Sequence, residues 1–147
     1  MRSCNKVYQK DAREEYCSWE EVERLVKKIA NKIKRKRNTY HAILGIANGG
    51  IIPARLMARE LKVENIQFLP VRNKSIDLKE MPVLHKEKKY LIVDEIYDRG
   101  DTFVKVSDAV KKLQCDFSFL MTRRTLDHKI FVGKTLNHCK WVVFPWE

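Results

Sequence analysis

The sequence predicts one α/β domain, with a mainly parallel sheet flanked by helices and a small hood built from the C-terminal residues. Three observations predict this fold. The 147 residues suffice for one domain with a real core, short apolar runs alternate with segments of helical period, and glycine-containing turns follow two of the runs. Because strands joined through helices make right-handed crossovers, they form a parallel sheet. We place the domain at residues 19–147, after an N-terminal segment of residues 1–18.

The first predicted helix spans residues 19–36. It begins with the capping box Ser18-Trp19-Glu20-Glu21, and apolar residues then recur at helical spacing. Residues 24–37 hold eight basic residues and no acidic one, which is most of the net charge of +11. This basic face is either a solubilising surface or a surface that meets phosphate or nucleic acid. The sequence favours the first interpretation and leaves the second open.

The remaining predicted elements alternate between strand and helix. Pro53 suits the first turn of a helix, and Phe103, Val106 and Val110 share one helical face. The polar segment from Arg72 to Lys89 is long enough to be a flexible flap. The predicted elements are strands at 41–47, 66–71, 90–94 and 116–122, and helices at 51–61 and 102–113.

Composition excludes several classes of protein. An apolar fraction of 44% is too high for a disordered chain, and no apolar run approaches the roughly 20 residues of a membrane-spanning helix. The first residues contain no apolar stretch of the kind found in secretory signals. We therefore expect a cytoplasmic protein without a membrane partner. The four cysteines lack C-x-x-C spacing, so the sequence does not predict a zinc site.

The segment after the 90–94 strand holds four carboxylates in eight positions: Asp94, Glu95, Asp98 and Asp101. Such crowding is costly unless a cation or a hydroxyl-rich group binds there. Gly100 can take a positive φ, and a turn that enters a helix at Thr102 can present N–H groups to a phosphate. We interpret this segment as a site for a phosphorylated sugar and a divalent cation. An ordinary acidic loop with capping aspartates is the alternative.

The turn Ala47-Asn48-Gly49-Gly50 lacks side chains at two positions, as is needed where a backbone passes close to a ligand. Taken alone, a plain tight turn explains these glycines equally well. In an open parallel sheet, however, ligands bind at the carboxyl ends of the strands. We therefore expect this turn and the acidic segment to lie at the same edge of the sheet.

The run YLIVDEIYDRGDT at 90–102 resembles the signature of the type I phosphoribosyltransferases. The run at 46–61 is similar to the pyrophosphate loop and following helix of that family, and WVVFPWE at 141–147 is similar to the end of the short xanthine-guanine enzymes. The resemblance covers residues 19–147. It implies the fold predicted above, phosphoribosyl pyrophosphate as substrate, Mg²⁺ as cofactor and assembly into a homo-oligomer.

The resemblance also implies roles on the sugar side of the site. Asp94 and Glu95 would hold the ribose hydroxyls, Glu95 would also contact the metal, and Asp98 would act as general acid or base at the purine. Glu95 stands where the family more often has Asp, so its carboxylate reaches one methylene further. The ribose and its 5′-phosphate would bind the loop formed by Asp98, Arg99, Gly100, Asp101 and Thr102.

Pyrophosphate and base complete the implied site. The pyrophosphate would bind Ala47, Asn48, Gly49 and Gly50, with a cis peptide at Ala47–Asn48 in the ligand-bound form. Arg72 and Lys74 would neutralise the pyrophosphate unless they are simply solvated cations. The base would meet the Arg123 guanidinium, the Trp141 ring and the Val142 backbone, although Trp141 could instead be a core residue. We expect Trp146 to be a core residue.

Together these features predict a purine phosphoribosyltransferase of salvage type, acting on guanine, xanthine or hypoxanthine. The alternative is a non-catalytic regulator of the same fold, which senses phosphoribosyl pyrophosphate or binds nucleic acid through residues 24–37. Formation of pyrophosphate in the presence of a base distinguishes the two.

Overall fold

The computed structural model describes residues 13–147. Its helices are α1 (Trp19–Arg35), α2 (Ile51–Leu61) and α3 (Asp101–Ala109). Its strands are β1 (Glu14–Tyr16), β2 (Ala42–Ile46), β3 (Ile66–Leu69), β4 (Val71–Arg72), β5 (Ser75–Ile76), β6 (Lys89–Tyr97), β7 (Gln114–Thr122), β8 (Ile130–Thr135) and β9 (Trp141–Val143). Within residues 13–147, no helix combines the length and the apolar character that crossing a membrane requires.

A five-stranded sheet in the order β3-β2-β6-β7-β8 forms the centre of the molecule, and all its pairings are parallel. Successive residues of β6 point to opposite faces. Leu91 and Val93 join the core beneath α1 and α2, while Tyr90 and Ile92 join a second core with Val106 of α3. The predicted α/β fold with a mainly parallel sheet is confirmed.

Helix α1 has the N-terminal cap and the buried apolar face that its sequence predicts. The Ser18 side chain caps it by accepting a hydrogen bond of 3.1 Å from the Glu21 backbone N–H. Six apolar residues at helical spacing are buried against the sheet and α2: Val22, Leu25, Val26, Ile29, Ala30 and Ile33. The predicted helix and its capping residue are therefore confirmed, with the end at Arg35 rather than at residue 36.

The basic face of α1 has a structural use at the edge of the sheet. Lys28 Nζ donates to the Gly133 carbonyl at 2.7 Å, and Lys32 Nζ donates to the Val132 carbonyl at 2.8 Å. Lys36 Nζ lies 5.4 Å from the centroid of the Phe131 ring. Because β8 is an edge strand, these lysines cover backbone that could otherwise pair with another chain.

Three boundaries differ from the sequence-based expectation. Strand β6 continues to Tyr97, since Tyr97 still pairs with Thr122 of β7. Glu95 therefore belongs to a strand and not to a loop. Helix α3 ends at Ala109, four residues early, in a turn where the Val110 N–H bonds the Val106 carbonyl at 3.1 Å. Strand β8 was not expected, because Gly133 and Lys134 interrupt its apolar pattern.

The hood joins the two ends of the described chain. Strand β9 pairs in parallel with β1, which places Glu15 opposite Val142. Residues of the predicted N-terminal segment therefore help to build the hood, whereas residues 1–12 lie outside the described part. Within the predicted flap, β4 and β5 form an antiparallel hairpin. Its two turn residues, Asn73 and Lys74, have φ of 49° and 60°, as in a type I′ turn.

Candidate active site

The glycine turn and the acidic segment lie side by side, as expected from the sequence. Strands β2 and β6 are neighbours in the sheet, so the turn after β2 meets the carboxyl end of β6. A Cβ added to Gly49 would lie only 2.5 Å from Glu95 Cδ, so the absence of a side chain here makes room for Glu95. The peptide bond between Ala47 and Asn48 is cis, at the position where the resemblance implied one.

A cavity of about 500 Å³ opens at this edge of the sheet. Residues 94–103 form most of its wall, and Phe119 closes it from β7. Lys74 reaches it from the hairpin and Trp141 from the hood. Every residue that the sequence assigned to the ribose and its 5′-phosphate therefore lines one cavity, together with Ile96, Tyr97 and Phe103, which sequence reasoning did not single out.

Asp94 and Glu95 are partly buried carboxylates. Burial raises the pKa of Asp94 to about 8, against a hydrogen bond of 2.8 Å from the Glu95 N–H and with a further rise from the Glu95 charge. Burial likewise raises the pKa of Glu95 to about 7, while a hydrogen bond from Trp146 lowers it and the charge of Glu147 raises it. Two such carboxylates are well placed to accept hydrogen bonds from sugar hydroxyls or to meet a cation.

Helix α3 begins where a phosphate would be expected to bind. Gly100 is its N-cap residue with φ of 91°, a backbone conformation that side chains rarely adopt. Tyr97 packs so closely on Gly100 that an added Cβ would meet the Tyr97 ring. The following residues, Asp101 and Thr102, form the first turn of the helix, whose free N–H groups and dipole attract anions.

The structure separates the two cations assigned to the pyrophosphate. Lys74 Nζ lies 3.3 Å from Asp101 Oδ2 and lines the cavity. Arg72 is directed elsewhere, with its Nη2 at 3.5 Å from Glu80 Oε2. Lys74 is thus within reach of an anion at the start of α3, while Arg72 belongs to the outer part of the hairpin segment.

Arg123 joins the acidic segment to the hood. Its side chain is 4% exposed, and its Nε lies 3.3 Å from Asp98 Oδ1. Its Nη1 donates to the His138 carbonyl at 2.8 Å and its Nη2 to the Lys140 carbonyl at 2.6 Å. The guanidinium therefore orders the backbone that leads into Trp141, a contact that the predicted role at the base did not include.

The other two residues assigned to the base lie in β9 and differ in exposure. The Trp141 side chain is half exposed and forms part of the cavity wall, where a ring can stack on a ligand. Val142 is buried and pairs with Glu15 of β1. The core interpretation of Trp141 does not fit this exposure.

Comparison with known proteins decides the family. The family described as the phosphoribosyl transferase domain matches residues 12–146. The chain belongs to this phosphoribosyltransferase family. The match confirms the resemblance seen in residues 90–102 and accounts for the sheet, the acidic segment and the glycine turn as parts of one fold.

Relatives of this phosphoribosyltransferase include the xanthine-guanine phosphoribosyltransferase of Idiomarina loihiensis, 24% identical over 92% of this chain and 88% of the relative. The xanthine-guanine phosphoribosyltransferase of Chromohalobacter salexigens is 25% identical over 88% of this chain and 82% of the relative. Among solved structures, a purine phosphoribosyltransferase from Pyrococcus horikoshii has a TM-score of 0.73 and 26% identity, covering 91% of this chain and 94% of that one.

Trp146 contacts the acidic end of β6, which the sequence did not predict. It packs against the core, as expected, yet its indole N–H also donates to Glu95 Oε2 at 2.9 Å. A buried indole N–H generally needs an acceptor, but the sequence does not reveal that a residue 51 positions away provides it.

The donors at this edge fit a magnesium ion that arrives with a substrate. Residues 13–147 contain no cluster of three or more potential metal-ligating side chains of His, Cys, Asp or Glu. Magnesium commonly binds through one or two carboxylates, substrate phosphates and water. Glu95, with Asp94 beside it, offers such a partial set next to the Gly49 turn.

Proposed function

We propose that this protein transfers ribose-5-phosphate from phosphoribosyl pyrophosphate to a 6-oxopurine, namely guanine, xanthine or hypoxanthine. The observation that carries the proposal is the partly buried Asp94–Glu95 pair, which lines one cavity with the start of α3 and packs against the glycine turn through Glu95. The names of the relatives support a purine as the acceptor.

We propose one orientation for the sugar diphosphate in this site. Its 5′-phosphate binds at the start of α3, where Thr102 and backbone N–H groups face an anion. The ribose hydroxyls donate to the Asp94 and Glu95 carboxylates, which offsets the cost of burying those charges. The pyrophosphate then reaches the Gly49 turn, with Lys74 able to move from Asp101 to the new anion. Magnesium, when bound, neutralises pyrophosphate charge as the group leaves.

The transfer step breaks the bond between ribose C1′ and a pyrophosphate oxygen and forms a bond between C1′ and a ring nitrogen of the base. The electron pair of the broken bond leaves with pyrophosphate, so positive charge develops on the sugar. The carboxylates beside the sugar stabilise that charge. Asp98 lies at the cavity wall and accepts the proton that the base loses as its ring nitrogen bonds to C1′.

The hood would bind the base. Trp141 stacks on the purine, and Arg123 holds the carbonyls of His138 and Lys140 that precede it. Arg123 orders the edge of the pocket that meets the 6-oxo group, through its hydrogen bonds to the hood. An adenine amino group, itself a donor, is disfavoured beside a guanidinium.

The test is a panel of bases incubated with phosphoribosyl pyrophosphate and magnesium, scored by the pyrophosphate formed. Release with guanine, xanthine or hypoxanthine but not with adenine supports the proposal. Binding of the sugar diphosphate without release from any base supports the regulator instead. The contacts of Lys28 and Lys32 with β8 give the basic helix a structural role, so nucleic acid remains the less favoured partner.

Asp98→Ala tests the proton step. We expect turnover to fall by about 100-fold or more, because general acid–base groups contribute about 10²–10⁴ in rate, while the affinity for phosphoribosyl pyrophosphate changes by less than about threefold. Steady-state kinetics and calorimetry measure the two quantities. Asp108→Ala, at an exposed position of α3, is the matched control, and equal losses in turnover and affinity for Asp98→Ala would contradict the role.

A further inference from the structure

Trp146 connects the C-terminal hood to the acidic end of β6. Its indole lies nearly parallel to the ring of Phe144, with centroids 5.0 Å apart and 9° between planes. Trp19 packs against it at 5.9 Å and 57°. Phe144 is buried at 2% exposure, so the stacked pair is anchored in the core. The direction of the indole N–H is therefore fixed by packing on two sides.

That N–H points at Glu95. The bond from Trp146 Nε1 to Glu95 Oε2 is 2.9 Å, a good length for a charge-assisted hydrogen bond. At the same time, the Glu95 carboxylate lies over Gly49, where an added Cβ would be 2.6 Å from Oε1. One carboxylate oxygen thus faces the hood and the other faces the glycine turn.

The length of the glutamate side chain makes this bridge possible. An aspartate at position 95 would end about 1.5 Å earlier, which is too short to keep a hydrogen bond to an indole held in place by stacking. The methylene by which Glu95 exceeds aspartate therefore has a use in this chain. It lets the carboxylate reach across from β6 to Trp146.

We propose that Trp146 is a positioning residue for Glu95: its indole N–H holds the carboxylate over the Gly49 turn, oriented toward an incoming sugar diphosphate. The proposal rests on the proposed function for the identity of that ligand. A glutamate has several rotatable bonds, and fixing them before the ligand arrives removes an ordering cost from binding. The hood would thereby contribute to the pyrophosphate side of the site as well as to the base.

A double-mutant cycle separates this role from simple packing. Trp146→Phe keeps a stacking ring and removes the N–H, and Glu95→Ala removes the acceptor. We expect Trp146→Phe to weaken binding of phosphoribosyl pyrophosphate with magnesium by about 5- to 20-fold in the otherwise unchanged chain. In the Glu95→Ala background the same change should cost less than about twofold. Equal losses in both backgrounds, measured by calorimetry, would overturn the proposal.

Trp19→Phe is the matched control for the cycle. It alters the other ring that packs on Trp146 but leaves the indole N–H and Glu95 in place. We expect it to change sugar-diphosphate affinity by less than about twofold. A loss as large as that of Trp146→Phe would assign the effect to packing and would overturn the positioning role.

A spectroscopic readout makes the proposal independent of catalysis. The chain has three tryptophans, whose indole N–H resonances are assigned from the single Trp→Phe variants. Glu95→Ala should shift the Trp146 resonance and speed its exchange with solvent, while the Trp19 resonance stays in place. A Trp146 resonance that does not respond would overturn the proposal. If it responds but the protein binds no sugar diphosphate, the proposed function fails, while the hold of Trp146 on the Glu95 carboxylate stands for another ligand.

Discussion

The two strongly charged regions of this protein use their charges in opposite ways. At the end of β6, Asp94 and Glu95 are partly buried, and this burial raises both pKa values, to about 8 and about 7. On α1, Lys28 and Lys32 remain partly exposed and donate to backbone carbonyls of the edge strand β8. The basic charges are used by the fold itself, whereas the buried carboxylates are destabilising until a ligand meets them.

The comparison teaches that the density of charge along a sequence does not identify a functional site. Residues 24–37 hold eight basic residues, yet their most clearly defined contacts support the sheet edge. The acidic segment is shorter, but its carboxylates lie at the carboxyl ends of parallel strands, where the fold opens a cavity. Burial that raises the pKa of its carboxylates, rather than charge density, distinguishes the candidate site.

The largest expected effect on stability is at Asp94. Its pKa is 3.8 in the unfolded chain and about 8 in the folded one, so folding binds a proton between these values. Stability contributed by this group is complete below pH 4 and is lost as the pH rises toward 8. Asp94→Asn should therefore raise the free energy of unfolding by about 2–4 kcal/mol at pH 8 and hardly at pH 4.

Urea unfolding of Asp94→Asn and the unchanged chain across this pH range, with a chelator and without substrate, measures the effect. The same variant should lose most of its affinity for phosphoribosyl pyrophosphate, because an amide lacks the carboxylate charge that would meet the ribose hydroxyls. A site residue that destabilises the free protein is a common cost of function. A difference in unfolding free energy that does not grow with pH would mean that Asp94 is not a destabilising buried acid, and the contrast with α1 would fail.

The next effect is expected at Arg123, where a basic residue is buried beside the acidic segment. Arg123→Met removes the ion pair with Asp98 and two hydrogen bonds to the hood. We expect the free energy of unfolding to fall by about 2–3 kcal/mol. Arg124→Met changes the neighbouring, exposed arginine and should cost less than about 0.5 kcal/mol. Urea unfolding of both variants shows whether burial of the arginine determines the loss of stability. Equal losses for the two variants would contradict this expectation.

A smaller effect is expected where α1 covers β8. Lys28→Met and Lys32→Met keep the apolar stem of each side chain but remove the donor to the Gly133 or Val132 carbonyl. Each should cost about 1 kcal/mol in unfolding free energy, and the double variant should self-associate more readily because the edge strand is uncovered. Denaturation and light scattering test the two expectations. Variants as stable and as monodisperse as the unchanged chain would contradict a structural role for Lys28 and Lys32.

The smallest effects are expected at the outer basic residues of α1. Lys27→Met and Arg35→Met lie on the exposed face and should change the free energy of unfolding by less than about 0.5 kcal/mol. If this face binds nucleic acid, the same variants should weaken RNA binding and reduce its dependence on salt. We expect only weak, sequence-independent binding in a filter assay. Tight binding that these variants abolish would identify α1 as a second functional surface, beside the acidic segment.

The fold class and the sheet edge that carries the candidate site follow from the sequence. The spacing of apolar residues and the glycine turns predict the helices and most strands, because local sterics and hydrophobic patterning act within a few residues. The acidic run from Asp94 to Asp101 and the turn at Gly49 were placed at one edge because parallel strands leave no other arrangement. The capping of α1 by Ser18 is equally local and was equally predictable.

The partners of these residues depend on how the whole chain folds. Glu95 meets Trp146, Arg123 bonds the hood, and the lysines of α1 meet β8, all across at least 15 positions of chain. Such contacts depend on how the sheet order and the pairing of β1 with β9 bring distant segments together. Residue types predict which groups need a partner, but packing of the whole chain selects the partner, because many alternatives satisfy the same local chemistry.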